Sequence, residues 1–412
     1  MPGTLVVTNT AAIATVAERP VEGARGPLGM IEDGALAARD GRVAWVGPRA
    51  ALPRALADGA ETLDAQGRLV IPGYVDAHTH PVFAGLRAEE FRARALGQPY
   101  HELLERGDAG IMSTVHATRA ASEDELLGLM RERADSFLRH GTTTIEAKTG
   151  YGLSPEAEDK SLRVLERTPL VTGLRVVPTY LGAHLVPAEY RADPEAYVRL
   201  LCERMLPAAA GRAVFCDVFC DRGAFTVEQS RRILLRAMEL GMAPRLHADE
   251  LADVGAARLA AELGAASADH LVHVDEAGME ALARTGTVAT LLPGTTFSLV
   301  SEHYAPARRL LAHGVRLALA TDYNPGTCCS ENMGLAISLA VLKLKLTPEE
   351  ALRAATLGGA YALRMEREVG SLEAGKACDL AVLDARSPLE IPYRVGVNLT
   401  RAVLVAGKRV GQ

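Results

Sequence analysis

The chain has 412 residues, 48% of them hydrophobic and 23% charged, with a formal net charge of −6 and a pI near 6.0. That length accommodates one large domain and a smaller one, and a mildly acidic balance without a basic cluster argues against a nucleic-acid partner. No run approaches the roughly eighteen apolar residues a membrane span needs, and the start, MPGTLVVTNT, lacks the basic-then-apolar order of a signal peptide, so a cytoplasmic protein without membrane contact is expected.

Residues 1–68 carry short strand patterns, such as Leu5-Val6-Val7-Thr8 and the segment 34–47, and little that is helical beyond 50–57. Between about 70 and 325, β-branched runs alternate with helical periodicity. Strands are predicted at 69–77, 142–147, 174–180, 214–219, 243–247, 265–269, 287–292 and 315–321, and helices at 123–139, 156–168, 195–206, 227–240, 253–263, 276–284 and 305–313. Gly141, Gly241, Gly264 and Gly314 each follow a last apolar turn, as helix stops do. Eight strands alternating with helices fit a (β/α)8 TIM barrel, and no Gly-x-Gly-x-x-Gly follows the first strand, which disfavours a dinucleotide fold. The stretch 365–412 is again strand-rich. The expected organisation is therefore a barrel at 69–364 inserted in a small β-sandwich domain formed from 1–68 and 365–412.

In such barrels the reactive side chains sit at the C-terminal ends of the strands. Strand one ends in Asp76-Ala77-His78-Thr79-His80, whose two imidazoles, at i and i+2, point to one side. Alone, the pair reads equally as a metal site or as an ordinary loop. The other strand ends supply Lys148, His184, His247, His270 and Asp322. His78, His80, His247 and Asp322 suffice to hold a catalytic metal with one position left for water, and Asp322 could also accept that water's proton. Glu250, three residues beyond His247, could supply the proton a departing nitrogen needs, or merely favour a helix N-terminus. His270 would contact the water or the carbonyl under attack; His273 reads as a helix-entry residue.

Arg87 could clamp a substrate carboxylate or form a surface ion pair. Tyr151, in Lys148-Thr149-Gly150-Tyr151-Gly152-Leu153, and the run Asn324-Pro325-Gly326-Thr327 could reach substrate or simply make turns. Cys202, Cys216, Cys220, Cys328, Cys329 and Cys378 read as reduced thiols, with Cys216 and Cys220 as strand residues rather than ligands.

These motifs, together with Gly182-Ala183-His184, Asp269-His270 and Leu292-Pro293-Gly294, resemble the amidohydrolase superfamily, and within it the members that open the imidazolone ring in histidine degradation. The resemblance implies hydrolysis of 4-imidazolone-5-propanoate to N-formimidoyl-L-glutamate, with one zinc or iron per chain and no partner beyond the small-molecule substrate and a second copy in a homodimer. By motif it places His78, His80, His247 and Asp322 on the metal, Glu250, His270 and Asp322 in catalysis, and Arg87, Tyr151, His184, Glu250, Asn324, Gly326 and Thr327 around substrate and product. Cys328-Cys329 departs from the single Cys expected there. Two alternatives follow from the same residues: a binuclear cyclic-imide hydrolase in which a carboxylated Lys148 bridges two metals, and a deaminase of a nucleobase-like ring.

Overall fold

The computed structural model describes residues 3–98 and 110–410. Five strands come first: β1 (Thr4–Ala14), β2 (Met30–Glu32), β3 (Gly34–Arg39), β4 (Arg42–Pro48) and β5 (Glu61–Pro72). Eight more follow in βα succession: β6 (Tyr74–Asp76), β7 (Thr142–Lys148), β8 (Arg175–Ala183), β9 (Phe215–Cys220), β10 (Ala243–Ala248), β11 (Ser267–His270), β12 (Val288–Leu291) and β13 (Leu317–Leu319). These eight pair in parallel with their sequence neighbours, so β6 to β13 form one sheet in chain order. The C-terminal β14 (Leu380–Leu383), β15 (Thr400–Val405) and β16 (Lys408–Val410) join β5 and complete a mixed sheet in the order β16-β15-β14-β5-β1-β3-β4, with β2 on β1. The terminal β domain is thus one continuous sheet built from both ends of the chain.

The predicted first barrel strand, 69–77, is in fact two strands. Leu69 to Pro72 belong to the terminal sheet, where β5 pairs antiparallel with β14, and the barrel begins only at Tyr74. The physical reason lies in burial. Val70 faces the core of the terminal sheet while Leu69 and Ile71 face the core around the barrel, so both faces of β5 are apolar and nothing in the side-chain pattern marks the change of sheet. Gly73 is the break, and a β-carbon there would run into Thr143. The terminal domain therefore extends past the expected boundary at residue 68.

The sheet closes into a barrel without a ladder between β13 and β6. The seam is an isolated parallel bridge between Thr79 and Tyr323, with the His80 amide donating to the Tyr323 carbonyl at 2.8 Å and the Asp322 amide donating to the His78 carbonyl at 3.1 Å. Below it, the buried Asp76 carboxylate accepts from the Thr321 amide at 3.0 Å and the Thr321 hydroxyl at 2.6 Å.

The surrounding helices start where the sequence provides caps. Ser122 with Glu125 opens Glu123–Arg139, and Thr226 with Gln229 opens Val227–Glu239, each by a reciprocal capping box. Gly141, Gly241, Gly264 and Gly314 all adopt positive φ, the left-handed conformation a helix stop requires. The helices Ala88–Ala95, Ile111–Ala120, Met333–Leu342 and Pro348–Arg353 lie outside the predicted set. All six cysteines are free, and Cys216 and Cys220 are buried in β9. Among the described residues no helix is long and apolar enough to cross a membrane.

Candidate active site

The strand ends converge at the C-terminal mouth of the barrel. Beyond β6, His78 Nε2 and His80 Nε2 lie 3.2 Å apart, and His247 Nε2 from β10 is 3.3 Å from His80 Nε2. Asp322, brought alongside by the seam, places Oδ1 3.6 Å from His78 Nε2 and 3.5 Å from His80 Nε2. His270 joins His78 and His247 in a second cluster of donor atoms. Burial, reinforced by Lys148 and His247, holds His78 well below the usual histidine range, and burial reinforced by His184 and His247 does the same to His80. Burial also raises Asp322 to about 6. Three imidazole nitrogens and one carboxylate oxygen, crowded at one point, form a donor set that could hold a metal ion. His80, His247 and Asp322 share that point with His78, so the four expected ligands are brought together.

Beneath this point lies a fully buried charged layer. His78 Nδ1 donates to Asp269 Oδ2 at 2.7 Å, which turns its Nε2 lone pair toward the site. His247 Nδ1 sits 3.0 Å from Asp217 Oδ2, although off the line of a straight hydrogen bond, and the His247 amide donates to Asp217 Oδ1 at 3.1 Å. Lys148 Nζ contacts Glu146 Oε1 at 2.6 Å and Asp217 Oδ2 at 2.7 Å, and Arg245 Nη2 contacts Asp269 Oδ2 at 3.1 Å. Lys148 thus has carboxylates for neighbours, and Glu146, Asp217, Arg245 and Asp269 are functional candidates that the sequence reading did not assign. Their signal was present: charged residues at alternate positions inside apolar strands, where a side chain must face the barrel interior.

Around the rim, Glu250 is nearly buried, with Oε1 3.7 Å from His270 Nδ1. Burial raises its carboxyl well above the usual range, and the nearby Asp322 and Asp221 add to the effect. His270 Nε2 is buried without a hydrogen-bond partner. His184 hydrogen-bonds through Nδ1 to the Gly150 carbonyl at 2.9 Å, stacks on His80 with centroids 5.2 Å apart, and is lowered to about 3 chiefly by burial. Tyr151 lies beside both, its ring 6.0 Å from His80 and 5.3 Å from His184. Its loop hangs on Glu158, whose Oε1 accepts from the amides of Gly152 at 2.7 Å and Leu153 at 2.8 Å.

The loop after Asp322 is wired by one side chain. Asn324 Oδ1 accepts from the amides of Gly326 and Thr327 at 2.8 and 2.7 Å, while its Nδ2 donates to the Asp322 carbonyl and to Thr327 Oγ1. Arg87 is buried, not a surface residue. Its Nε and Nη2 engage Glu90, and its Nη1 lies so close to Gly326 that a β-carbon there would displace it. A substrate carboxylate would therefore share Arg87 with Glu90. Asp322, His270, Asp249 and Leu153 all have φ between 49° and 74°, a left-handed conformation costly for non-glycine residues, and their clustering at this mouth marks a place where side-chain direction outweighs backbone ease.

Residues 69–410 match the family model described as Amidohydrolase family. The chain is 49% identical to the imidazolonepropionase of Symbiobacterium thermophilum, over 99% of this chain and 97% of that one, and 48% identical to the imidazolonepropionase of Myxococcus xanthus, over 98% and 96%. Among solved structures, it is similar in fold to an adenosine deaminase from Xanthomonas campestris with bound zinc, at a TM-score of 0.75 and 22% identity, covering 99% of this chain and 93% of that one. The strand ends, the seam that joins the first to the last and the relatedness along almost the whole length agree, and this chain belongs to the amidohydrolase family and, within it, to the imidazolonepropionases.

Proposed function

We propose that this chain hydrolyses the ring amide of 4-imidazolone-5-propanoate, giving N-formimidoyl-L-glutamate. The observation that carries this reading is the convergence of three imidazole Nε2 atoms and Asp322 Oδ1 beside the nearly buried Glu250, whose carboxyl is raised by burial, beneath the Tyr151 and Asn324 loops. Relatives named imidazolonepropionase at close to half identity supply the substrate. His78, His80, His247 and Asp322 would hold one zinc or iron. When bound, such an ion supplies Lewis acidity to the ring carbonyl and lowers the pKa of water.

The protein's own groups then divide the work. The Asp322 carboxylate takes the proton of the attacking water, and His270 Nε2, which has no protein partner, offers a hydrogen bond to the oxyanion. Glu250 delivers its proton to the ring nitrogen as the carbon–nitrogen bond breaks, since expelling an unprotonated nitrogen is prohibitive near neutrality. Arg87, held by Glu90, meets the propionate; Tyr151 and His184 flank the ring; Asn324, Gly326 and Thr327 line the side facing the product. A cytoplasmic homodimer is the proposed working form.

The binuclear alternative requires an anionic carbamate on Lys148, yet that nitrogen lies within 2.7 Å of both Glu146 and Asp217, an environment that favours a cation. The test is loss of the imidazolone absorbance on mixing enzyme with freshly made substrate, combined with metal analysis. Turnover with one metal equivalent is expected. Release of ammonia from a purine or pyrimidine with no ring opening of the imidazolone would overturn the reading in favour of a deaminase.

A further inference from the structure

Barrel interiors are ordinarily filled with branched apolar side chains. Here the layer directly under the donor cluster is ionic. Glu146, Lys148, Asp217, Arg245, Ser267 and Asp269 are all fully buried. They come from four strands of the barrel, β7 and the adjacent β9, β10 and β11. Buried ion pairs of this kind contribute little net stability compared with apolar packing, because desolvation offsets their attraction, so fold stability alone gives no reason for them.

Their contacts give another reason. The two carboxylates of the layer that touch imidazoles are Asp269, at His78 Nδ1, and Asp217, at His247 Nδ1. Each is pinned by a cation from below. Lys148 Nζ is 2.7 Å from Asp217 Oδ2 and 3.9 Å from Asp269 Oδ2, bridging the two, while Arg245 holds Asp269 and donates to the Ala77 carbonyl at 2.6 Å, one residue before His78. Ser267 closes the remaining lone pair of Asp269, with Oγ 2.5 Å from Oδ1. Glu146 balances Lys148 and receives the Thr79 amide at 3.2 Å, which fixes the backbone between the two histidines of the first strand. Burial alone would push the Lys148 ammonium down, but Asp217, Glu146 and Asp269 outweigh it and hold it above the usual lysine range.

We propose that Lys148 and Arg245 are positioning residues of the metal centre, seating Asp217 and Asp269 against Nδ1 of His247 and His78 so that both imidazoles present Nε2, with Lys148 acting as a buried counter-cation and not as a ligand. This rests on the reading of His78 and His247 as ligands but not on the choice of substrate, so its failure and a wrong substrate assignment are separately visible.

The experiment uses full-length apoprotein titrated with cobalt(II) against a chromophoric chelator, with the d–d absorption spectrum as the second readout and circular dichroism as the check on folding. Lys148→Met should fold, bind cobalt on the order of tenfold or more weakly, and show a shifted d–d envelope, in line with the 10–100-fold effects of outer ligand partners. Ser267→Ala, which removes one hydrogen bond without stranding a charge, should weaken cobalt about threefold, as expected for a modest hydrogen bond. If Lys148→Met fails to fold, the serine variant decides. Unchanged affinity and spectrum in the folded variants would overturn the proposal, and so would a wild-type stoichiometry of two that falls to one in Lys148→Met, since Lys148 would then be a ligand.

Discussion

Glu250 has the least ambiguous chemistry of any single residue at the mouth. Its side chain is almost out of solvent, it lies 3.7 Å from His270, and burial with two carboxylate neighbours raises its carboxyl well above the usual range. A carboxyl raised in this way keeps the proton a general acid needs to higher pH and loses it as pH rises through the raised pKa. Glu250→Gln preserves shape and the backbone bonds from the Glu250 and Leu251 amides to Asp221, but has no proton to give. The expected outcome is a fall in kcat of about 10²–10⁴-fold with metal content and unfolding midpoint unchanged, and loss of the alkaline limb of the kcat profile. A variant retaining half its activity would remove Glu250 from proton transfer.

Among the elements, the loop after β7 is held from a helix. Glu158, in the first turn of Pro155–Thr172, accepts the amides of Gly150, Gly152 and Leu153, so one carboxylate shapes the whole approach of Tyr151. Glu158→Ala would strand those buried donors, and we expect a loss of about 2–4 kcal/mol in denaturant unfolding and a raised KM as Tyr151 loses its support. Glu158→Gln, which keeps an acceptor oxygen, should lie between the two. This element also marks how far the sequence could be read. Strand ends were visible because a run of β-branched residues stopping at a histidine or aspartate leaves a sharp edge, and the helix 123–139 was visible from its periodicity and the glycine stop at Gly141. Asp217 was passed over, although an aspartate between Cys216 and Val218 in a buried strand must face the interior, because it sits mid-strand and β9 ends at Cys220 rather than at a histidine or aspartate. Arg87 pointed toward the site, but its partner Glu90 sits on the helix Ala88–Ala95, too short and too polar to show an apolar stripe. The division of residues 69–77 between two sheets was hidden for a different reason, since the last residues of β5, Leu69 to Pro72, are buried on both faces and only Pro72-Gly73 interrupts the run.

At the scale of the molecule, the place where the barrel closes is also where the donors meet. His78 and His80 leave the first strand and Asp322 leaves the last, and no ladder joins those strands; their alignment rests on the Thr79–Tyr323 bridge and on Asp76 gripping Thr321. Barrel closure and site assembly are therefore one event, and a defect at the seam should appear in both. Asp76→Ala leaves the Thr321 amide and hydroxyl without their acceptor, which should cost about 2–5 kcal/mol and weaken metal binding together. Asp76→Asn can accept from the amide and donate to the hydroxyl, so it should keep both. The pH dependence separates them further. Burial chiefly, offset by the Thr321 bonds, raises Asp76 from 3.8 to about 7. An acid whose pKa is raised on folding binds its proton more tightly when folded, so its contribution is complete below the unfolded value and declines as pH rises toward the folded one. Subtracting Asp76→Asn from wild type in unfolding experiments should thus reveal a wild-type stability that falls between about pH 4 and pH 7 and is flat on either side; a difference flat throughout would mean that Asp76 titrates alike in the folded and unfolded chain, and one that rises with pH that the seam favours the ionised carboxylate.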